Sequence, residues 1–141
     1  MSKQVLTIYR NEWYSSNGNN VITKVELDTK TSNNSGNLSL SNNCIKIGAG
    51  ISKVKVSGRL SYDTHSYTGE VDMAILKNNN AAIYIYGGED KSNAYTAFTL
   101  MPQILDVQEN DEIGLAYNKL DNKSLHINGN ISNNLTVEVI A

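Results

Sequence analysis

The chain has 141 residues, 40 % of them hydrophobic and 18 % charged, with a formal net charge of −2. That length suits one domain able to close a core without disulfides or metals, and a single cysteine, Cys44, leaves no internal disulfide to form. No basic patch of the kind that displaces counterions from a nucleic acid is visible, and no apolar run reaches the length of a membrane span, so neither is an expected partner.

The polarity comes mostly from Asn, Ser and Thr, which suit turns and sheet surfaces. Residues 5–9 and 21–27 read as strands. Residues 33–37 are a loop, and 38–47 hold a further strand that includes Cys44, expected as a small buried side chain. The clearest signal lies at 53–62. There Val54, Val56, Gly58, Leu60 and Tyr62 alternate with Lys53, Lys55, Ser57, Arg59 and Ser61, which gives a strand with one dry and one wet face. Residues 70–76 follow, with Val71, Met73 and Ile75 on one face. Lys77-Asn78-Asn79-Asn80 supplies turn chemistry, and 82–86 complete a β-hairpin that Gly87-Gly88 closes.

Residues 94–107 form a long apolar strand, and Pro102, the only proline, predicts an edge, bulge or break within it. Glu109-Asn110-Asp111 turns the chain into a strand carrying Ile113, Leu115 and Tyr117. An Asn-rich loop at 118–134 contains a short apolar piece at 125–127. The last strand spans 135–140, with Leu135, Val137 and Val139 on one face. With no amphipathic helix and no repeat, the pattern predicts an all-β antiparallel sandwich or barrel.

Catalytic sets do not assemble from these residues, and an enzyme is not expected. His65 and His126 lie in separate polar loops; Asp63-Thr64-His65 offers two metal ligands where zinc requires more. Asp106, Glu109, Asp111 and Glu112 cluster near one turn, as calcium ligands or as a solvated charged turn. The glycine pairs lack the lysine and helix of a phosphate loop. No cofactor and no metal are expected. In 82–86, Tyr84 and Tyr86 alternate with Ile83 and Ile85, so both faces are apolar or amphipathic. Subunit packing or a carbohydrate platform would occupy the second face.

From Glu70 onward the order of features resembles the trimer-forming heads of the complement and tumour-necrosis-factor superfamily. The resemblance rests on Val71-Asp72-Met73-Ala74-Ile75-Leu76-Lys77-Asn78-Asn79, on Ala82-Ile83-Tyr84-Ile85-Tyr86, on 94–105, on Asn110-Asp111-Glu112-Ile113-Gly114-Leu115 and on 135–141. The segment 44–62 resembles the preceding strand pair. Asn110 replaces the family's usual glycine, and Leu135, Val137 and Ile140 replace aromatic residues near the last strand. The resemblance implies a jelly roll and a homotrimer whose last strand lies near the threefold axis.

Heads of similar texture occur in tailed bacteriophages. The Asn-, Lys- and Ile-rich composition and the closing Leu135-Thr136-Val137-Glu138-Val139-Ile140-Ala141 resemble phage structural proteins. Residues 1–10 lack the basic-then-apolar layout of an export signal. That is the expectation for a virion protein made in the host cytoplasm. The expectation is therefore a trimeric capsid decoration or head fibre that binds other phage capsid or tail proteins. Alternatives are a tail receptor-binding tip recognising host cell-surface saccharide, or a free carbohydrate-binding module. Residues 1–27 are expected as N-terminal strands or an attachment arm, carrying Tyr9, Trp13 and Tyr14. Residues 28–141 are expected as the jelly-roll head, the whole being one domain. Expected trimer-interface residues are Tyr84, Tyr86, Phe98, Leu100, Leu135, Val137 and Glu138.

Overall fold

A computed structural model describes residues 3–16, 21–31, 34–63, 70–87, 95–119 and 125–141. Thr64, His65, Gly88 and Ala94 lie outside them. Thirteen strands follow one another among the described residues: β1 (Val5–Tyr9), β2 (Tyr14–Ser16), β3 (Ile22–Lys24), β4 (Thr29–Lys30), β5 (Leu38–Ser41), β6 (Cys44–Ile47), β7 (Lys53–Asp63), β8 (Val71–Lys77), β9 (Asn80–Ile85), β10 (Tyr95–Asp106), β11 (Glu112–Lys119), β12 (Leu125–Ile127) and β13 (Asn134–Val139). All pairings are antiparallel and no helix occurs among these residues.

Two sheets face each other. In the first, β10, β7, β13, β1 and β4 lie side by side, and β12 and β2 extend it along the edge of β7 beyond β13. In the second, the order is β5, β6, β11, β8, β9, with β3 beside the far end of β11. The alternation of β7 becomes the sandwich itself. Val54, Val56, Leu60 and Tyr62 meet Leu6, Ile8, Leu135 and Val137 of their own sheet and Met73, Ile75, Ile113, Leu115 and Tyr117 of the other, all at most 1 % exposed. Burial of this continuous apolar layer stabilises the fold at roughly 25 cal/mol per Å² removed from water.

Asparagine explains how so short a chain turns so often. Asn34, Asn42, Asn43, Asn78, Asn79, Asn110 and Asn130 all have left-handed backbone, which Asn tolerates better than most residues. Asn42-Asn43 splits the expected 38–47 strand into the β5–β6 hairpin. Asn78-Asn79 forms the two-residue β8–β9 turn, where two successive left-handed residues match the twist of the strands. Pro102 sits in a register shift of β10 between Leu100 and Gln103, as the missing donor requires.

The described residues among the first 27 are woven into the sheets. The whole of β1 pairs with β13, and Leu6, Ile8, Val25 and Leu27 are fully buried. β2 joins the first sheet and β3 the second, so this segment bridges the two layers. Residues 21–27 are a strand only over β3. Beyond it Val25 still donates its backbone N–H to Leu115 O at 2.8 Å while its side chain enters the core.

Candidate functional site

Three surfaces carry the residues singled out from the sequence. The first is the outer face of the first sheet. Because β13 alternates, Leu135 and Val137 point inward and are wholly buried, which removes them as interface residues. Leu100 is 6 % exposed, and Phe98 packs on the core with its ring 6.1 Å from that of Tyr62, so these two also serve the interior. Glu138 is the member of the expected set that faces outward here. It pairs with Lys3 at 2.9 Å, and that ammonium, mainly through its hydrogen bond, holds the carboxyl below the usual range. Beside it Lys3, Lys55, Ile104, Val139 and Ile140 line a depression of about 390 Å³. Ile104 is 56 % and Ile140 44 % exposed, so this face combines open apolar surface with paired charge.

The second surface is the outer face of the second sheet. Ile83 and Ile85 pack against the core, which sends Tyr84 and Tyr86 outward with rings 4.8 Å apart. Tyr84 Oη donates to Asp72 Oδ2 at 2.6 Å and accepts from Asn118 Nδ2 at 3.0 Å; Asp72 Oδ1 also accepts from Gly87 N at 2.8 Å. Loss of hydration, followed by the Asp72 carboxylate, raises the Tyr84 phenol above its ordinary pKa. Tyr84 thus covers Ala74, Leu76 and Ala116 while Tyr86 stays largely in solvent. The tyrosines and Glu138 occupy opposite outer faces of the sandwich, and one patch cannot contain both.

The acidic turn is structural in its contacts. Asp111 is buried, accepting from Asn78 Nδ2 at 2.9 Å and from Gln108 N at 2.9 Å, while Asp106 pairs with Lys53 at 3.3 Å. Among the described residues no group of three His, Cys, Asp or Glu is placed to hold a metal. Cys44 is buried, and desolvation raises its thiol pKa.

The third surface arises where two neighbouring strands break together. β12 and β13 lie end to end along β7, and residues 128–133 loop out between them. Residues 10–13 loop out between β1 and β2 at the same level. The two excursions are bonded to each other: Arg10 N to Asn133 O at 3.1 Å, and Asn130 N to Asn11 O at 2.8 Å. Buried Asn133 ties the second to β7. Its Oδ1 accepts from Ser61 N at 2.8 Å, and its Nδ2 donates to Ser61 O and to Asn128 O, both at 2.7 Å.

Between the excursions lies a cleft of about 700 Å³. Trp13 stands in it, 61 % exposed, its indole stacked on the His126 ring at 4.5 Å and 13°. Gly129 makes the close approach possible, since a Cβ there would lie 2.5 Å from the backbone of Glu12 and Trp13. Of the three expected attachment residues, Trp13 alone is presented this way. Tyr9 lies on the sheet face opposite Leu6 and Ile8. Tyr14 holds the chain together: its Oη accepts from Glu26 N at 2.9 Å, Arg10 sits 4.3 Å over its ring, and burial pushes its phenol up to about 12. The pairing of Trp13 with His126 had no sequence signal, because each stands in a polar stretch with no shared spacing.

No family model matches the chain, and no curated protein does. Solved structures do. The crystal structure of murine APRIL at pH 8.5 aligns with a TM-score of 0.63 at 10 % identity, covering 99 % of this chain and 100 % of that one. The structure of Eiger TNF from S. frugiperda aligns with a TM-score of 0.67 at 8 % identity, over 100 % of this chain and 94 % of the other. At such identities the likeness concerns architecture: this chain has a TNF-like jelly-roll fold.

Proposed function

We propose that this chain is a non-enzymatic binding head that assembles as a homotrimer and serves as a capsid decoration or head fibre of a bacteriophage virion. The observation that carries the self-association is the outer face of the first sheet. Ile104 and Ile140 lie open there beside the Lys3–Glu138 pair, on the sheet that contains the last strand. An apolar centre rimmed by charge is the composition of a subunit contact, and a closed ring of three would bury it from every protomer at once.

The composition rich in Asn, Lys and Ile and the closing segment 135–141 support the phage assignment. A head of this kind acts by docking on a symmetric site and holding its loops outward. Quantitative mass spectrometry of purified virions of the phage that encodes the chain tests this. The expected result is the chain in copy numbers divisible by three. Its presence in the lysate but not in purified particles would overturn the virion assignment.

A further inference from the structure

We propose that the cleft between residues 10–13 and 128–133 is a binding site for a neutral saccharide, with Trp13 as the platform for one pyranose ring. This rests on the reading of the chain as a binding module. It needs neither the trimer nor the virion, because every lining residue comes from one chain.

Trp13 has no place in the core. It stands outside the core cluster and remains 61 % exposed, so core burial does not account for it. An indole so exposed is normally a surface for something else. His126 stacks on it at 4.5 Å and fixes its orientation, and Gly129 presses on the backbone that carries it. A platform held in place before the ligand arrives loses little entropy on binding.

The rest of the lining selects the ligand. Asn11, Glu12, Asn128, Asn130 and Ser132 surround the indole. Among the described residues, the side chains of Asn11, Glu12 and Asn130 make no hydrogen bond, although all three are exposed at the cleft. Amide groups both donate and accept, and a carboxylate accepts, which matches hydroxyl groups that do both. A pyranose offers one apolar face of C–H groups for the indole and a rim of hydroxyls for the amides.

Other classes fit less well. Anionic ligands would meet Glu12 with no lysine or arginine in the lining to offset it, and nearby Arg10 is committed: it donates to Glu12 O at 2.6 Å and Glu26 O at 3.2 Å, and pairs with Asp28 at 3.6 Å. A protein anchor needs further apolar groups around the aromatic residue to exclude water, and here the neighbours are polar.

Backbone strain marks the same loop. Ile131 has φ of 66°, the only non-glycine residue other than Asn with left-handed backbone among the described residues, and it is β-branched and half exposed. Such strain is retained where a loop must hold a particular shape.

Trp13 is the only tryptophan, so fluorescence excited on the red side of tyrosine absorption reports this site alone. The wild-type protein is titrated with triacetylchitotriose, maltotriose and lactose, each to about 20 mM, with galacturonic acid as the charged control. The expected result is a saturable change in emission with at least one neutral sugar at millimolar concentration and none with the acid. By calorimetry, Trp13→Ala should weaken that binding by at least about tenfold and Asn130→Ala by severalfold. Both side chains are exposed, and circular dichroism confirms that the variants fold. Emission unmoved by all three neutral sugars overturns the proposal and leaves Trp13 as a protein contact. Calorimetric binding that survives Trp13→Ala unchanged also overturns it. A saccharide result of either kind leaves the subunit mass unaffected, so the site and the trimer fail separately.

Discussion

Asn133→Ala tests whether one buried amide holds the looped-out segment to the sheet. The side chain is fully buried and makes three hydrogen bonds, two to Ser61 and one to Asn128. Truncation does not cost the three equally. Ser61 O keeps the backbone N–H of Asn128 at 3.2 Å, and Asn128 O is part-buried in a residue that lines the cleft. Ser61 N–H is left in a fully buried position with nothing to receive it. Taking about 2 kcal/mol for that orphaned donor and about 0.5 kcal/mol for each of the other two, the expected loss is about 3 kcal/mol. Urea denaturation followed by circular dichroism, at equal protomer concentration, measures it. A loss below about 1 kcal/mol would refute the reasoning, because it would mean that water replaces the amide freely.

Asn133→Asp sharpens the test through its sign with pH. One oxygen can still accept from Ser61 N, but the other would face two carbonyl oxygens where Nδ2 donated. The folded state then favours the protonated acid, which raises the folded pKa above the unfolded one. The variant should therefore be least stable above that raised value and gain stability as pH falls through it. The wild-type protein has no such term.

Further outcomes follow from single residues. Ile131→Asn should raise stability by about 1 kcal/mol in the same denaturation assay, since Asn accepts the left-handed backbone and the lost side chain is half exposed. The Cys44 thiol, pushed up by burial, should react with a chromogenic disulfide reagent at pH 8 far more slowly in the folded protein than in denaturant. Glu138, held low by Lys3, contributes stability that is present above the ordinary carboxylate range and lost as pH falls through its lowered pKa. The Tm difference between wild type and Glu138→Gln should accordingly be positive at pH 7, shrink with added salt and vanish in acid.

What could be read from the sequence was what local chemistry decides. The period-two pattern of 53–62 gave β7 to within one residue, and Asn78-Asn79 gave the turn of the β8–β9 hairpin. Pro102 marked its irregularity because a missing N–H acts wherever the strand sits. The short strands β2, β4 and β12 carried too few residues for a period, and they exist because longer neighbours offer them an edge. Interface residues were harder still. Alternation says that Leu135 and Glu138 point to opposite sides, but not which side is the interior, and apolar residues were assigned to a contact that the core had already taken. The cleft at Trp13 depends on residues 10–13 and 128–133, from opposite ends of the chain, being set side by side by β1 and β13, which only the folded topology reveals.

Self-association through the outer face of the first sheet is tested most directly by light scattering. Wild-type protein should show three times the 15.5 kDa chain mass, and Ile104→Asp should reduce it to one chain while leaving the β-sheet spectrum intact. A wild-type mass of one chain across the micromolar range, or an Ile104→Asp trimer as stable as the wild type, would contradict it.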